Sequence, residues 1–285
     1  MADQNISGNN EDIKTLPVWA KELASKYLSK TANLYILHGN IHDLFLLKEN
    51  KDEIICMWIQ EYISEVLFGN RDIIAYYDRS GGITFCEPEM ERDYLAATPE
   101  LFGNTDIDKG GFVSGDPEKS FPYLEKYFLS RIPRDNKEKC RMVFIIDYAE
   151  YLVPAGDLLR LSDTCRYCMV TFNRWTADPK FINGGISIIL LTENLADISA
   201  RLTDSPSTVK ISVPLPDISI RESFLRSKEK EGRLLLERSL TVKKFASVTP
   251  GVSLVNLYRL TEESYEENKP LSLKFIRRKK KEITR

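Results

Sequence analysis

Arg141-Met-Val-Phe-Ile-Ile-Asp147 and Ile186-Ser-Ile-Ile-Leu-Leu-Thr-Glu-Asn194 decide the fold. Both runs are short and apolar with no polar alternation, the pattern of a strand buried on both faces in the middle of a parallel sheet. Working outward, Asn33–Gly39 (NLYILHG), Asp72–Asp78 (DIIAYYD) and Thr208–Pro216 (TVKISVPLP) read as three more strands. Helical spacing lies between them. Leu16, Trp19, Leu23, Tyr27 and Leu28 line one face, and Ile55, Trp58, Ile59, Tyr62, Ile63 and Val66 predict another helix over Asp52–Phe68. Asp116-Pro117 opens a helix to about Arg131, because Asp suits the cap and Pro the first turn. A further helix is expected from about Ser162 to Trp175. Strands alternating with helices of this length make an α/β fold: a five-stranded parallel sheet with helices on both faces. Beyond Asp217 the pattern is helical, interrupted at Pro250-Gly251, so a small helical lid domain is expected after the sheet. The expected division is 1–14 disordered, 15–217 α/β domain, 218–273 helical lid and 274–285 basic connecting helix or tail.

The composition supports this reading. The 285 residues are 42% hydrophobic and 29% charged, which excludes a disordered, collagenous or coiled-coil chain. No apolar run approaches the length of a membrane span, and MADQNISGNN lacks the basic-then-apolar pattern of a secretory signal. A cytoplasmic location without membrane contact is therefore expected. Five cysteines, an odd number in a chain able to build its own core, read as reduced thiols. The net charge of −2 hides an asymmetry, because Lys274–Arg285 carries +6 and the remainder −8. Such an end reads as a solvated helix or as an arm for nucleic acid.

Ligands in open parallel sheets bind at the carboxyl ends of the strands, so the residues there are the site candidates. Asp147 ends a buried strand, as does a carboxylate that holds magnesium in nucleotide-hydrolysing proteins, and Glu150 is the nearest acid for polarising water. Thr192 and Asn194 end the next strand with side chains able to reach a γ-phosphate or a water. Gly39 and Asn40 form the turn after the first strand, where a cofactor phosphate would lie.

These segments, with Val213-Pro-Leu-Pro-Asp217, Arg221, Phe224-Leu225 and Thr249-Pro-Gly-Val-Ser-Leu-Val-Asn-Leu257, resemble the AAA+ ATPases from about Asn33 to Glu266. The resemblance implies ATP and Mg2+ as cofactors, Asp147 as the magnesium carboxylate and Asn194 as the first sensor. It makes Arg201 a residue acting across a subunit interface and Thr249–Leu257 the second sensor. YILHGNIHDL, YYDRSGGITF, IIDYAEYLVPAGDL and PLSLKFIRRKKKEIT resemble, more narrowly, the amino-terminal module of bacterial proteins carrying two AAA-type modules. A second such module, or other subunits of a homo-oligomer, are then the expected partners.

The departures from the family pattern fall after the first and the third strands. A phosphate loop needs G-x-x-x-x-G-K-[ST] directly after the first strand, whose amides and lysine hold the phosphates. Here GNIHDLFLLKEN follows, and no Gly-Lys dipeptide occurs in the sequence. Lys119-Ser120 lies in a predicted helix, and Tyr148 stands where the family's third strand carries a glutamate. The expectation is a module with a degenerate phosphate loop, serving as the regulatory or assembly half of an ATPase machine. Two alternatives stand beside it: an ATPase binding Mg-ATP through a non-standard loop, and a nucleic-acid-binding protein using the basic tail. His38 and His42, four apart, lack a glutamate base between them, and Cys165 and Cys168 lack a second pair. They are read as structural residues.

Overall fold

The computed structural model describes residues 16–30, 32–48, 54–69, 73–99, 115–132 and 140–283. The expected disorder over 1–14 and the last two residues of the expected basic tail lie outside these. The described residues fall into two compact units, one of residues 1–41 and 63–213 and one of 42–62 and 214–285.

In the first unit, β1 (Leu34–Gly39), β4 (Ile73–Asp78), β6 (Met142–Ile146), β7 (Ile186–Thr192) and β8 (Thr208–Val213) are the five expected strands, mutually parallel wherever they pair. A sixth strand, β5 (Gly82–Phe85), pairs antiparallel with β4 at the edge, giving the order β5-β4-β6-β7-β1-β8. The expected sheet of five parallel strands is thus extended by one. Asp78 makes the extension: its Oδ1 accepts from the Ser80 amide (2.7 Å), the Ser80 hydroxyl (2.6 Å) and the Gly81 amide (2.7 Å), folding the chain back into a hairpin. Four residues, the first of them Gly82, give too little periodicity to reveal a strand.

Every residue of β6 and β7 is buried. Leu34, Ile36, Phe144, Ile146, Ile188 and Leu190 join one cluster with Phe121, Phe172 and Trp175. Tyr35, Leu37, Val143, Ile145, Ile189 and Leu191 point to the opposite face and are equally buried, so the sheet is covered on both sides. The helices over the first face start as the caps dictate. Pro117–Ser130 begins with the Asp116 carboxylate accepting from the Glu118 amide at 3.1 Å, and Asp163–Ala177 with the Ser162 hydroxyl accepting from the Cys165 amide at 3.2 Å. Cys165 and Cys168 are free, buried core thiols, and burial pushes that of Cys168 up to about 12.

The second unit begins with a surprise. The helix expected over 52–68 starts only at Ile59, because Ile54–Trp58 is β3, paired antiparallel with β2 (Leu44–Lys48) from Leu44↔Trp58 to Lys48↔Ile54. Ile54–Trp58 is apolar throughout and so short a run shows no period, and pairing with β2 selects the strand. Glu61 then accepts the Trp58 amide at 2.9 Å and opens the helix. Helices Ile218–Lys230, Val242–Val248, Leu254–Glu266 and Leu273–Ile283 complete the unit around Phe224, Leu225, Phe245, Leu257 and Ile276. The first of these covers only part of the helical run expected between Asp217 and Pro250. It stops where Gly232 takes a left-handed φ of 72° and its amide bonds the Glu229 carbonyl at 3.1 Å. No helix among the described residues is long and apolar enough to cross a membrane.

Candidate functional site

β7 and β8 lie on opposite sides of β1, so strand order reverses at β1 and the crevice at its carboxyl end is where an open sheet binds ligands. The backbone of that turn is closed on itself. The Gly39 amide donates to the Glu193 carbonyl at 3.1 Å, that of Asn40 to the Val213 carbonyl at 2.8 Å, and that of Ile41 back to the Gly39 carbonyl at 2.9 Å. Gly39 has a φ of 109°, and a Cβ built on it would lie 2.6 Å from the Val213 carbonyl oxygen, so only glycine fits. Three successive amides that could cradle a phosphate serve the protein's own carbonyls instead.

The next strand tips are also tied into local turns. At β6 the Asp147 amide continues the sheet to the Tyr77 carbonyl (2.9 Å), while Asp147 Oδ1 accepts the Tyr148 amide (2.9 Å). Tyr148 then adopts a left-handed conformation, φ 53° and ψ 46°, which breaks the strand and turns Ala149–Tyr151 into a single 3-10 turn. Glu150 therefore sits on that turn rather than on an extension of β6, with one carboxylate oxygen buried and unpartnered among the described residues. The Asp147 carboxylate, ahead of slight burial and the carboxylates of Asp78, Glu193 and Glu150, holds the exposed Tyr148 phenol above its ordinary value. The tips of β4, β6 and β7 thus share an acidic rim. At β7, the Thr192 hydroxyl is buried and donates to the Asn194 carbonyl at 3.3 Å, and Asn194 Oδ1 accepts the Ala196 amide at 3.2 Å as the cap of a 3-10 turn.

The loops after β6 and β7 are joined by a Pro154↔Ile198 bridge, with the Ala155 amide on the Asp197 carbonyl (2.7 Å) and the Ser199 amide on the Val153 carbonyl (2.9 Å). They wall an open groove of about 780 Å3 whose polar lining includes His38, Glu193, Asn194, Arg201, Asp204 and Lys210. Of the expected site residues, the groove takes in Asn194 and Arg201. Gly39, Asn40, Asp147, Glu150 and Thr192 lie outside its lining. Burial lowers the His38 pKa, which favours the neutral imidazole there. Glu193 escaped the sequence reading although it stands between Thr192 and Asn194. Only the sheet geometry shows its carbonyl receiving the β1 turn. Among the described residues, no group of three or more His, Cys, Asp or Glu side chains is arranged to hold a metal ion.

The second unit contains its own buried acid. Asp43, 1% exposed, accepts the amides of Leu254 (3.0 Å) and Val255 (2.8 Å) and so caps the helix that the expected second-sensor segment leads into. Arg221 is also buried. Its guanidinium donates to the carbonyls of Pro216 and Ala246, and burial lowers its pKa. It fastens the first helix of this unit to the second.

Family models for the AAA+ chaperone N-terminal Rossmann-like domain and the AAA+ chaperone second helical domain match residues 8–214 and 219–285. The chain belongs to the AAA+ chaperone family. Comparison with curated proteins returns no match. Among solved structures, this AAA+ chaperone chain is similar to one in the HORMA:CdnC:Trip13 complex of E. coli MS115-1. Identity is 14% and the TM-score 0.51, over 93% of this chain and 80% of that one. At that identity the likeness is one of fold.

Proposed function

We propose that this AAA+ chaperone module does not grip nucleotide at the β1 turn and works through contacts with protein neighbours, as the regulatory or assembly half of an ATPase machine. One observation carries the reading: the amides of Gly39, Asn40 and Ile41 all donate to the protein's own carbonyls. A triphosphate entering this turn would have to break three hydrogen bonds and would meet no lysine of the Gly-Lys type, forfeiting contacts worth about 1.5–3 kcal/mol each. ATP and Mg2+ therefore do not fit the residues present there. The similar chain comes from a complex of several proteins, in keeping with protein partners here. Isothermal titration with Mg-ATP is expected to give no binding heat at micromolar concentrations. A saturable isotherm would overturn the reading.

Arg201 favours a second element of it. It is exposed in the groove and has no anionic partner among the described residues. We read it as an arginine offered to a neighbouring subunit or to a second AAA-type module. Sedimentation velocity should then show weaker self-association for Arg201→Glu, and unchanged behaviour would remove this element alone.

A further inference from the structure

The helix Leu273–Ile283 carries Lys274, Arg277, Arg278 and Lys281, spaced three and four apart and therefore on one face. None of the four pairs with a carboxylate among the described residues. Lys279, to one side, is neutralised by Glu263 at 3.1 Å, and Ile276 anchors the helix in the core. Like charges at these spacings repel, so the stripe weakens its own helix. The same residues, with Lys280 and Ser247, line a groove whose aliphatic floor is made by half-buried Val248 and Leu273 and exposed Pro250.

We propose that this groove is a docking site for an acidic amphipathic protein segment, apolar side chains on the aliphatic floor and carboxylates on the cationic rim. The charges call for a polyanion, and the floor chooses which. A base stacks on an aromatic ring or a guanidinium plane; the groove lining contains no aromatic ring and offers only Arg277 and Arg278, the latter already lying over the Phe275 ring. Val248, Pro250 and Leu273 instead match the apolar face of a helix laid into a groove. An acidic segment cancels the self-repulsion and buries the floor together; nucleic acid would do only the first.

The test is fluorescence anisotropy on the full chain with two probes, a labelled Glu/Leu amphipathic peptide and a labelled oligothymidine of similar length. The peptide is expected to bind, and binding should weaken at least tenfold in Arg277→Glu/Lys281→Glu and severalfold in Val248→Asp. Circular dichroism confirms that each variant keeps its helix content. Three results would overturn the proposal: no peptide binding, equal or tighter binding of oligothymidine, or peptide binding indifferent to Val248→Asp in a folded protein.

Discussion

The turn after β1 and the helix Leu273–Ile283 treat their polar groups in opposite ways. In the turn, three successive amides are satisfied internally and Gly39 packs against the Val213 carbonyl, leaving nothing for an incoming anion to replace cheaply. On the helix, four cations share a face with no internal counter-charge, beside an aliphatic floor. Buried polar groups are costly to leave unmatched, whereas exposed cations are tolerated, so self-satisfaction marks a part that only holds the fold. Unmatched charge marks where a partner can act. On the proposed reading, the turn that a nucleotide-binding fold keeps open is closed here, and a stripe of unmatched charge lies on the helix Leu273–Ile283.

The comparison breaks first at Gly39. Gly39→Ala must accommodate a Cβ at 2.6 Å from a carbonyl oxygen and a φ of 109°, and is expected to cost about 3 kcal/mol in urea unfolding. A neutral result would mean that the turn opens freely and could admit a ligand. Asp43→Ala should come next, at about 2 kcal/mol, because two amides at the start of helix Leu254–Glu266 lose a buried acceptor. Asp43→Asn keeps one acceptor oxygen and should lose less.

Asp217 sharpens the contrast by pH. The amide of Ile220, followed by the Ser219 hydroxyl, holds its carboxyl below the usual range. Its folded pKa is depressed, so its contribution is present above the unfolded pKa of about 3.9 and fades as pH falls through the lower folded value. Asp217→Asn should therefore flatten the acid limb of the stability profile below about pH 4 and leave its shape near pH 7 unchanged. The smallest effect belongs to the cationic helix. Arg277→Glu turns two like-charge neighbours, Lys281 four residues on and Lys274 three residues back, into attractive ones. It should raise stability by a few tenths of a kcal/mol, where a loss would show that the stripe already has a partner within the chain.

How much of this was legible in the sequence follows from the range of the forces involved. Continuous apolar runs announced β6 and β7, and Asp116, Ser162 and Asp217 announced helix starts, because burial on both faces and capping act over a few residues. The lining of the groove was legible in part. Asn194 and Arg201 do line the groove, yet Glu193 went unremarked and the turn at Tyr148 was not foreseen, since neither a receiving carbonyl nor a left-handed φ leaves a local pattern. The β3 strand was misread as helix because its partner, β2, decides a choice that five residues leave open.

By itself the sequence determined the parallel α/β core, the helical run after it, the missing Gly-Lys and the cationic end. Each is a statement about which residue types stand next to one another. Tertiary structure alone decided that the amides after β1 turn inward, that Asp43 caps a helix 211 residues away, and that four cations gather beside an aliphatic floor. Those outcomes depend on which distant backbone groups arrive within about 3 Å, a distance over which hydrogen bonds and packing act without regard to separation along the chain.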